Sequence, residues 1–183
     1  MLPIHYHKLS WNQFYRDCIE LYKNKVKGTQ IDIIVSITRG GNIVSRIYSD
    51  LLGMIPISNI TMTSYKNMKK LKKPVITEEP TRDFKGKTLL IVDEVSDTGD
   101  TFKVAIDYFK KKKTKKIFTL SPYIKSHTKF TPDFWQKNID VWIIFPHDIR
   151  ETADGFEKMF GKKNAREKML ELGFEDWEVD SVF

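Results

Sequence analysis

Apolar residues recur at helical spacing in some stretches of this chain and run almost without interruption in others. Ser10-Trp-Asn-Gln13 has the make-up of a capping box, and Trp11, Phe14, Tyr15, Cys18, Ile19 and Tyr22 then mark one helical face, which Gly28 helps to end. The run Ile31–Ile37 predicts a buried strand, and Thr38-Arg-Gly-Gly41 a turn. Ile43, Val44, Ile47, Tyr48, Leu51 and Leu52 predict a second helix, stopped at Gly53. A strand over roughly 55–62 follows, and then a polar, lysine-rich segment from Ser64 to Lys87. That segment is longer than an ordinary connection, and loops of this kind often serve as active-site lids. Leu89–Val92 predicts a central strand, and Phe102, Ala105, Ile106 and Phe109 lay a helix against it. Strands are expected at Ile117–Leu120 and Val141–Phe145, and His5 and His7 alternate in a strand or arm. Ala165, Met169 and Leu172 predict a short terminal helix closed by Gly173.

Alternating strands and helices imply an α/β fold: a Rossmann-like, mainly parallel sheet with helices on both faces. With 183 residues, no internal repeat and no linker, one domain over 1–183 is expected, large enough to bury its own core.

Composition adds mostly exclusions. Forty per cent apolar and 30% charged residues suit a globular protein, and no apolar run is long enough to cross a bilayer. The start, MLPIHYHKLS, lacks the basic and apolar regions of a signal peptide, and the single cysteine, Cys18, excludes an internal disulfide. A cytoplasmic, membrane-free setting is expected. Lys and Arg number 31 against 24 Asp and Glu, a net +7 that fits either nucleic acid or a small polyanionic substrate. The clusters Lys66–Lys73 and Lys110–Lys116 lack the interleaved aromatics of a nucleic-acid reader, and the second reads as a solvated turn after a helix. There is no zinc spacing, Walker A loop or Gly-x-Ser-x-Gly elbow.

Ligands of such sheets bind beyond the carboxyl ends of the strands. Those ends carry Thr38-Arg39, Ser64-Tyr65, Asp93-Glu94, Tyr123–Lys125 and Pro146–Asp148. Asp93 and Glu94 are adjacent carboxylates, a repelling pair usually stabilised by a cation or bound hydroxyls. Directly after them, Asp97-Thr-Gly-Asp-Thr101 puts small and hydroxyl residues where a helix begins, which suits a phosphate dianion as well as an ordinary helix cap. In Thr38–Gly41, exposed amides, a hydroxyl and a guanidinium suit a diphosphate, although a plain glycine turn has the same composition.

The string LLIVDEVSDTGDT (Leu89–Thr101) resembles the 5-phosphoribosyl-1-pyrophosphate (PRPP) signature of the type I phosphoribosyltransferases. The resemblance covers roughly Ile31–Asp148 and implies the fold of that family, with a small base-binding hood. It implies that Asp93 and Glu94 hold the ribose hydroxyls and Mg²⁺, with Asp148 a further metal contact, a residue that equally suits the cap of a turn. Asp97, Thr98, Gly99, Asp100 and Thr101 would wrap the 5′-phosphate, with Asp97 also the general acid/base. Asp100 departs from the pattern, where a neutral residue is common, so its carboxylate is expected to point away. Thr38, Arg39 and Gly40 would bind pyrophosphate, with a cis peptide at Thr38–Arg39, and Ser64 and Tyr65 would open a mobile lid.

Ser121–Lys125 and Asp140–Asp148 resemble the base pocket of the 6-oxopurine members, most closely the xanthine–guanine type and its archaeal relatives. Lys125 would donate to O6, Trp142 stack on the purine and the main chain of Ile143 read the C2 side. Read from residue type alone, Lys125 suits a solvated strand end and Trp142 a core position. His147 stands where relatives tend to have Trp. The resemblance thus implies purine salvage: phosphoribosyl transfer from PRPP to xanthine or guanine, possible also for hypoxanthine, in a homodimer or tetramer without nucleic acid. The alternative is a nucleotide-sensing regulator that reuses the pocket and binds nucleic acid through its basic surface.

Overall fold

The runs around Ile33–Ile37 and Leu89–Val92 form neighbouring strands buried on both faces, as near-continuous apolar strands require. In the computed structural model, residues 5–66 and 69–183 are described, apart from the side chains of 64–66, 69, 70 and 72. The elements begin with β1 (Tyr6–Lys8), α1 (Trp11–Leu21, followed by a π-type turn at Tyr22–Val26), β2 (Ile33–Thr38), α2 (Gly41–Leu51), β3 (Ile57–Lys66) and β4 (Lys69–Glu78). Next come β5 (Thr88–Val92), β6 (Val95–Ser96), α3 (Asp100–Lys111), β7 (Lys116–Ile124) and β8 (Phe134–Asn138). β9 (Trp142–Ile144), α4 (Ile149–Phe160), α5 (Lys162–Glu171) and α6 (Asp176–Asp180) complete the chain. Two compact units result: Asp17–Asp140, and the chain before residue 17 together with Val141–Phe183.

The Asp17–Asp140 unit holds a seven-stranded sheet in the order β4-β3-β2-β5-β7-β6, with β8 also on β7. All pairings are parallel except that of β3 with β4. Alternate residues of β2 (Ile33, Val35, Ile37) and β5 (Leu89, Ile91) meet Phe102, Ala105 and Phe109 of α3 in one apolar cluster. α2 lies along β2, and its Tyr48 hydroxyl donates to the Cys18 carbonyl at 3.0 Å, tying α2 to α1. Asp17, 2% exposed, accepts from Tyr123 Oη at 2.8 Å and Lys137 Nζ at 2.6 Å, so α1 is joined to β7 and β8 by a satisfied buried charge. Register decides where the chemistry falls. Ser36 pairs with Val92 and Val92 with Leu120, so the carboxyl ends of β2, β5 and β7 come out on one edge.

The expected loop after residue 62 is in fact a hairpin: β3 continues to Lys66, and β4 returns antiparallel, pairing Met62 with Ile76 and Thr63 with Val75. β4 is an edge strand rich in lysine and interrupted by Pro74, a composition that guards edges against further pairing and hides them from an apolar-pattern reading. Ser64 and Tyr65 belong to β3 by their backbone, and their side chains lie outside the described residues.

In the other unit, β1 and β9 form their own parallel pair, Tyr6 opposite Trp142 and Lys8 opposite Ile144. The strand expected near 141–145 therefore joins the N-terminal arm and not the large sheet. Ile144, Ala153, Phe156, Ala165, Met169, Phe174 and Val179 make its core, and Tyr6 packs edge-on against Phe156 at 5.1 Å. α4 was not expected. Its apolar residues Ile149, Ala153, Phe156 and Phe160 do keep helical spacing, but sparsely, among charges and around Gly155. Among the described residues, no helix is long and apolar enough to cross a membrane.

Candidate active site

Asp93 stays attached to the sheet, its N–H donating to the Leu120 carbonyl at 3.1 Å. Its carboxylate accepts from the Glu94 N–H at 2.9 Å and from Thr101 Oγ1 at 3.3 Å. Burial, and then the neighbouring charge of Glu94, push the Asp93 carboxyl up to about 8. Hard carboxylate oxygens burdened by burial and mutual repulsion fit Mg²⁺ or sugar hydroxyls.

Two glycines bring the Thr38–Gly41 turn close to these acids. A Cβ on Gly40 would stand 2.5 Å from the Glu94 carboxyl, and one on Gly41 would collide with the Val92 carbonyl. The Thr38–Arg39 peptide is cis, as the family resemblance implied. Thr38 Oγ1 donates to Thr61 Oγ1 at 2.8 Å, and Thr61 Oγ1 donates to Glu78 at 2.8 Å, so the turn is also bonded to the β3–β4 hairpin. Ser36 Oγ donates to Asn42 Oδ1 at 2.7 Å across its base.

Beyond Glu94, the short strand β6 pairs with Tyr123 and Ile124 of β7, and the chain then turns into α3. Gly99 makes that turn at φ +78°, and a side chain there would run into Phe130. The Asp100 carboxylate is engaged locally, accepting from Thr98 Oγ1 at 3.0 Å and Lys103 Nζ at 3.4 Å. The Thr98 hydroxyl, foremost, and Lys103 hold it below the usual carboxylate range. Thr98 therefore spends its hydroxyl proton on Asp100 in this structure.

The segment after β7 lies alongside that turn. The N–H of Lys125 donates to the Ser96 carbonyl at 3.1 Å and the N–H of Lys129 to the Thr98 carbonyl at 3.1 Å. Lys125 is buried, and burial lowers its ammonium pKa against the opposing pull of Asp97 and Asp140. Asp140 accepts from both the N–H and the hydroxyl of Ser126, each at 2.7 Å. Asp97 is exposed, and its Oδ1 lies 2.8 Å from Nε2 of His127. His127 had drawn no role from sequence, because it sits 30 positions from Asp97 in a polar loop with no motif of its own.

The Asp17–Asp140 unit thus brings together Asp93, Glu94, Gly40, Thr38, Asp97–Thr101 and Lys125, with Arg39 exposed beside Gly40. Trp142, Ile143 and Asp148 belong to the other unit. Trp142 is 61% exposed, against a core position, whereas Ile143 is buried and its backbone pairs with His7. Asp148 is the N-cap residue of α4, its carbonyl accepting from Thr152 N–H at 2.9 Å. His147 packs among the rings of Trp11, Phe14 and Phe145, with centroids 6.0, 5.8 and 5.6 Å away.

The family described as phosphoribosyl transferase domain matches residues 9–153. A xanthine-guanine phosphoribosyltransferase of Idiomarina loihiensis is 26% identical over 141 residues, which cover 77% of this chain and 86% of that protein. Among solved structures, a purine phosphoribosyltransferase from Pyrococcus horikoshii superposes with a TM-score of 0.71 at 35% identity, covering 78% of this chain and 93% of the other. The xanthine-guanine-hypoxanthine phosphoribosyltransferase of Helicobacter pylori gives 0.69 at 25% identity, covering 80% and 97%.

Proposed function

This chain belongs to the phosphoribosyl transferase domain family, and on that premise we propose that it transfers the 5-phosphoribosyl group of PRPP to N9 of a 6-oxopurine. The products are pyrophosphate and a nucleoside 5′-monophosphate, a purine-salvage reaction. The carrying observation is the strand-end pair Asp93-Glu94, with one acid burdened by burial and repulsion and a Thr-Gly-Asp-Thr turn opening α3 directly behind it. A ribose 5-phosphate supplies what that arrangement asks for: hydroxyls or a metal for the acids and a dianion for the helix start.

In this mechanism Asp93 and Glu94 hold the ribose hydroxyls and Mg²⁺. The metal, when bound, supplies positive charge to the leaving diphosphate. The amides of Thr38–Gly41 and the Arg39 guanidinium bind the pyrophosphate, and the lack of side chains at Gly40 and Gly41 lets that turn approach the acids. Thr98–Thr101 hold the 5′-phosphate, with Asp100 staying on Lys103 and releasing the Thr98 hydroxyl. As purine N9 bonds to C1 of the ribose, the C1–oxygen bond to pyrophosphate breaks, and Asp97 accepts the proton from N7. Lys125 donates to O6; the family resemblance further implies Trp142 and the backbone of Ile143 as base contacts and Asp148 as a metal contact. Ser64 and Tyr65 close over the site. A dimer or tetramer in the cytoplasm completes the proposal.

The names of the relatives favour xanthine or guanine, with hypoxanthine next. The test is PRPP consumption in Mg²⁺ with adenine, guanine, hypoxanthine, xanthine and orotate in separate reactions. Turnover with the 6-oxopurines is expected. Turnover with adenine alone would overturn the Lys125 assignment, and no turnover with any base would overturn the whole proposal.

A further inference from the structure

The Asp97–His127 contact sits inside a clasp between two loops. Ser96 and Thr98, on either side of Asp97, accept backbone hydrogen bonds from Lys125 and Lys129, which flank His127. Ser96 Oγ lies 3.0 Å from Thr128 Oγ1 and donates to the Phe130 carbonyl at 2.9 Å. The packing of Phe130 against Gly99 closes the far end. Backbone bonds on both sides therefore set where Asp97 and His127 stand before their side chains meet.

The two side chains are 60% and 62% exposed. An exposed pair of this kind contributes little to stability, so the fold does not depend on it. Its effect is orientation. A carboxylate can only accept, so the hydrogen of the bond is on Nε2, and Oδ1 is held at 2.8 Å. A carboxylate with one oxygen held turns the other in a fixed direction. The charged groups around the pair are Lys125, which acts on both Asp97 and Asp140, and Asp140, which also acts on His127 while bonded to Ser126.

We propose that His127 is a positioning residue for Asp97: its Nε2–H holds one carboxylate oxygen so that the other meets the purine. This rests on the phosphoribosyl transfer proposed above. His127 itself gains and loses no atom in the reaction; the N7 proton goes to the oxygen of Asp97 that His127 leaves open.

The experiment compares the full-length wild type with His127→Ala and His127→Gln in steady-state assays with PRPP and guanine or xanthine, together with thermal melts. His127→Ala is expected to lower kcat about tenfold, the worth of one hydrogen bond to a charged group, with KM for PRPP changed less than about twofold. Its Tm is expected within about 2 °C of wild type. His127→Gln, with an amide N–H at similar reach, is expected to recover most of the lost kcat. Adding His127→Ala to Asp97→Asn is expected to cost nothing further. An unchanged kcat in His127→Ala, or a loss that glutamine does not restore, overturns the proposal. So does a loss of rate matched by a fall in Tm. A wild type that turns over while His127→Ala is indifferent sinks this inference alone; a wild type that uses no base sinks the transfer reaction and the inference with it.

Discussion

In the Asp17–Asp140 unit, charged side chains stand where they are costly. Asp93 is half-buried beside Glu94, Lys125 is buried, and Gly40 and Gly99 leave room that any side chain would close. In the unit made by the chain ends, Lys8 and Glu178 form a largely buried pair at 3.7 Å, and charges on its helices form surface pairs. Arg150–Asp154, Arg166–Asp180 and Lys168–Glu171 are exposed pairs at 3.5, 2.5 and 2.9 Å, over a core of ordinary apolar packing. Repulsion and desolvation meet at Asp93 in the first unit and are absent from these surface pairs, and perturbed groups of that kind gather at functional sites.

The sharpest way to break that contrast is Asp97→Asn, which is expected to keep the fold and lower kcat by roughly two decades or more, the range of a lost general acid/base. Stopped assays with PRPP and guanine check it, and a wild-type rate would remove Asp97 from the mechanism. Gly40→Ala comes next. The added methyl must displace the Glu94 carboxyl, so KM for PRPP is expected to rise about tenfold, on the scale of one charged hydrogen bond.

A smaller effect concerns pH. The Asp93 carboxyl lies near 8 when folded, above its ordinary 3.8, so between those values the folded protein binds a proton the unfolded chain has released. Stability from this group is therefore lost as pH rises from about 4 towards 8. Urea denaturation at pH 5 and pH 8 is expected to find Asp93→Asn gaining on wild type at the higher pH, by more than about 1 kcal/mol. An equal difference at both pH values would contradict the burden assigned to Asp93. At the small end, Lys168→Ala in the other unit, losing only its 2.9 Å exposed contact with Glu171, is expected to change stability by less than about 0.5 kcal/mol and leave turnover alone.

Much of the site was legible because its parts are contiguous. Asp93, Glu94 and Asp97–Thr101 follow closely behind one strand, with the short β6 between them, so a run of apolar residues and the polar turn behind it were enough to place them on a sheet edge. The parallel sheet, α1–α3 and α5 were legible for a similar reason: each carries its own period. β4 was not, since an edge strand of lysines has little apolar signal, and neither was α4, with its sparse stripe.

What the amino-acid order determined by itself was local: which residues lie at the strand ends, and where a chain reversal needs glycine. Tertiary structure alone decided which distant residues meet. Gly40 reaches Glu94 because β2 and β5 run parallel in register, and His127 reaches Asp97 because the loop after β7 lies along the turn before α3. Such meetings depend on strand order and register, which are set by burial over the whole sheet and leave no mark in the spacing of the residues that they join.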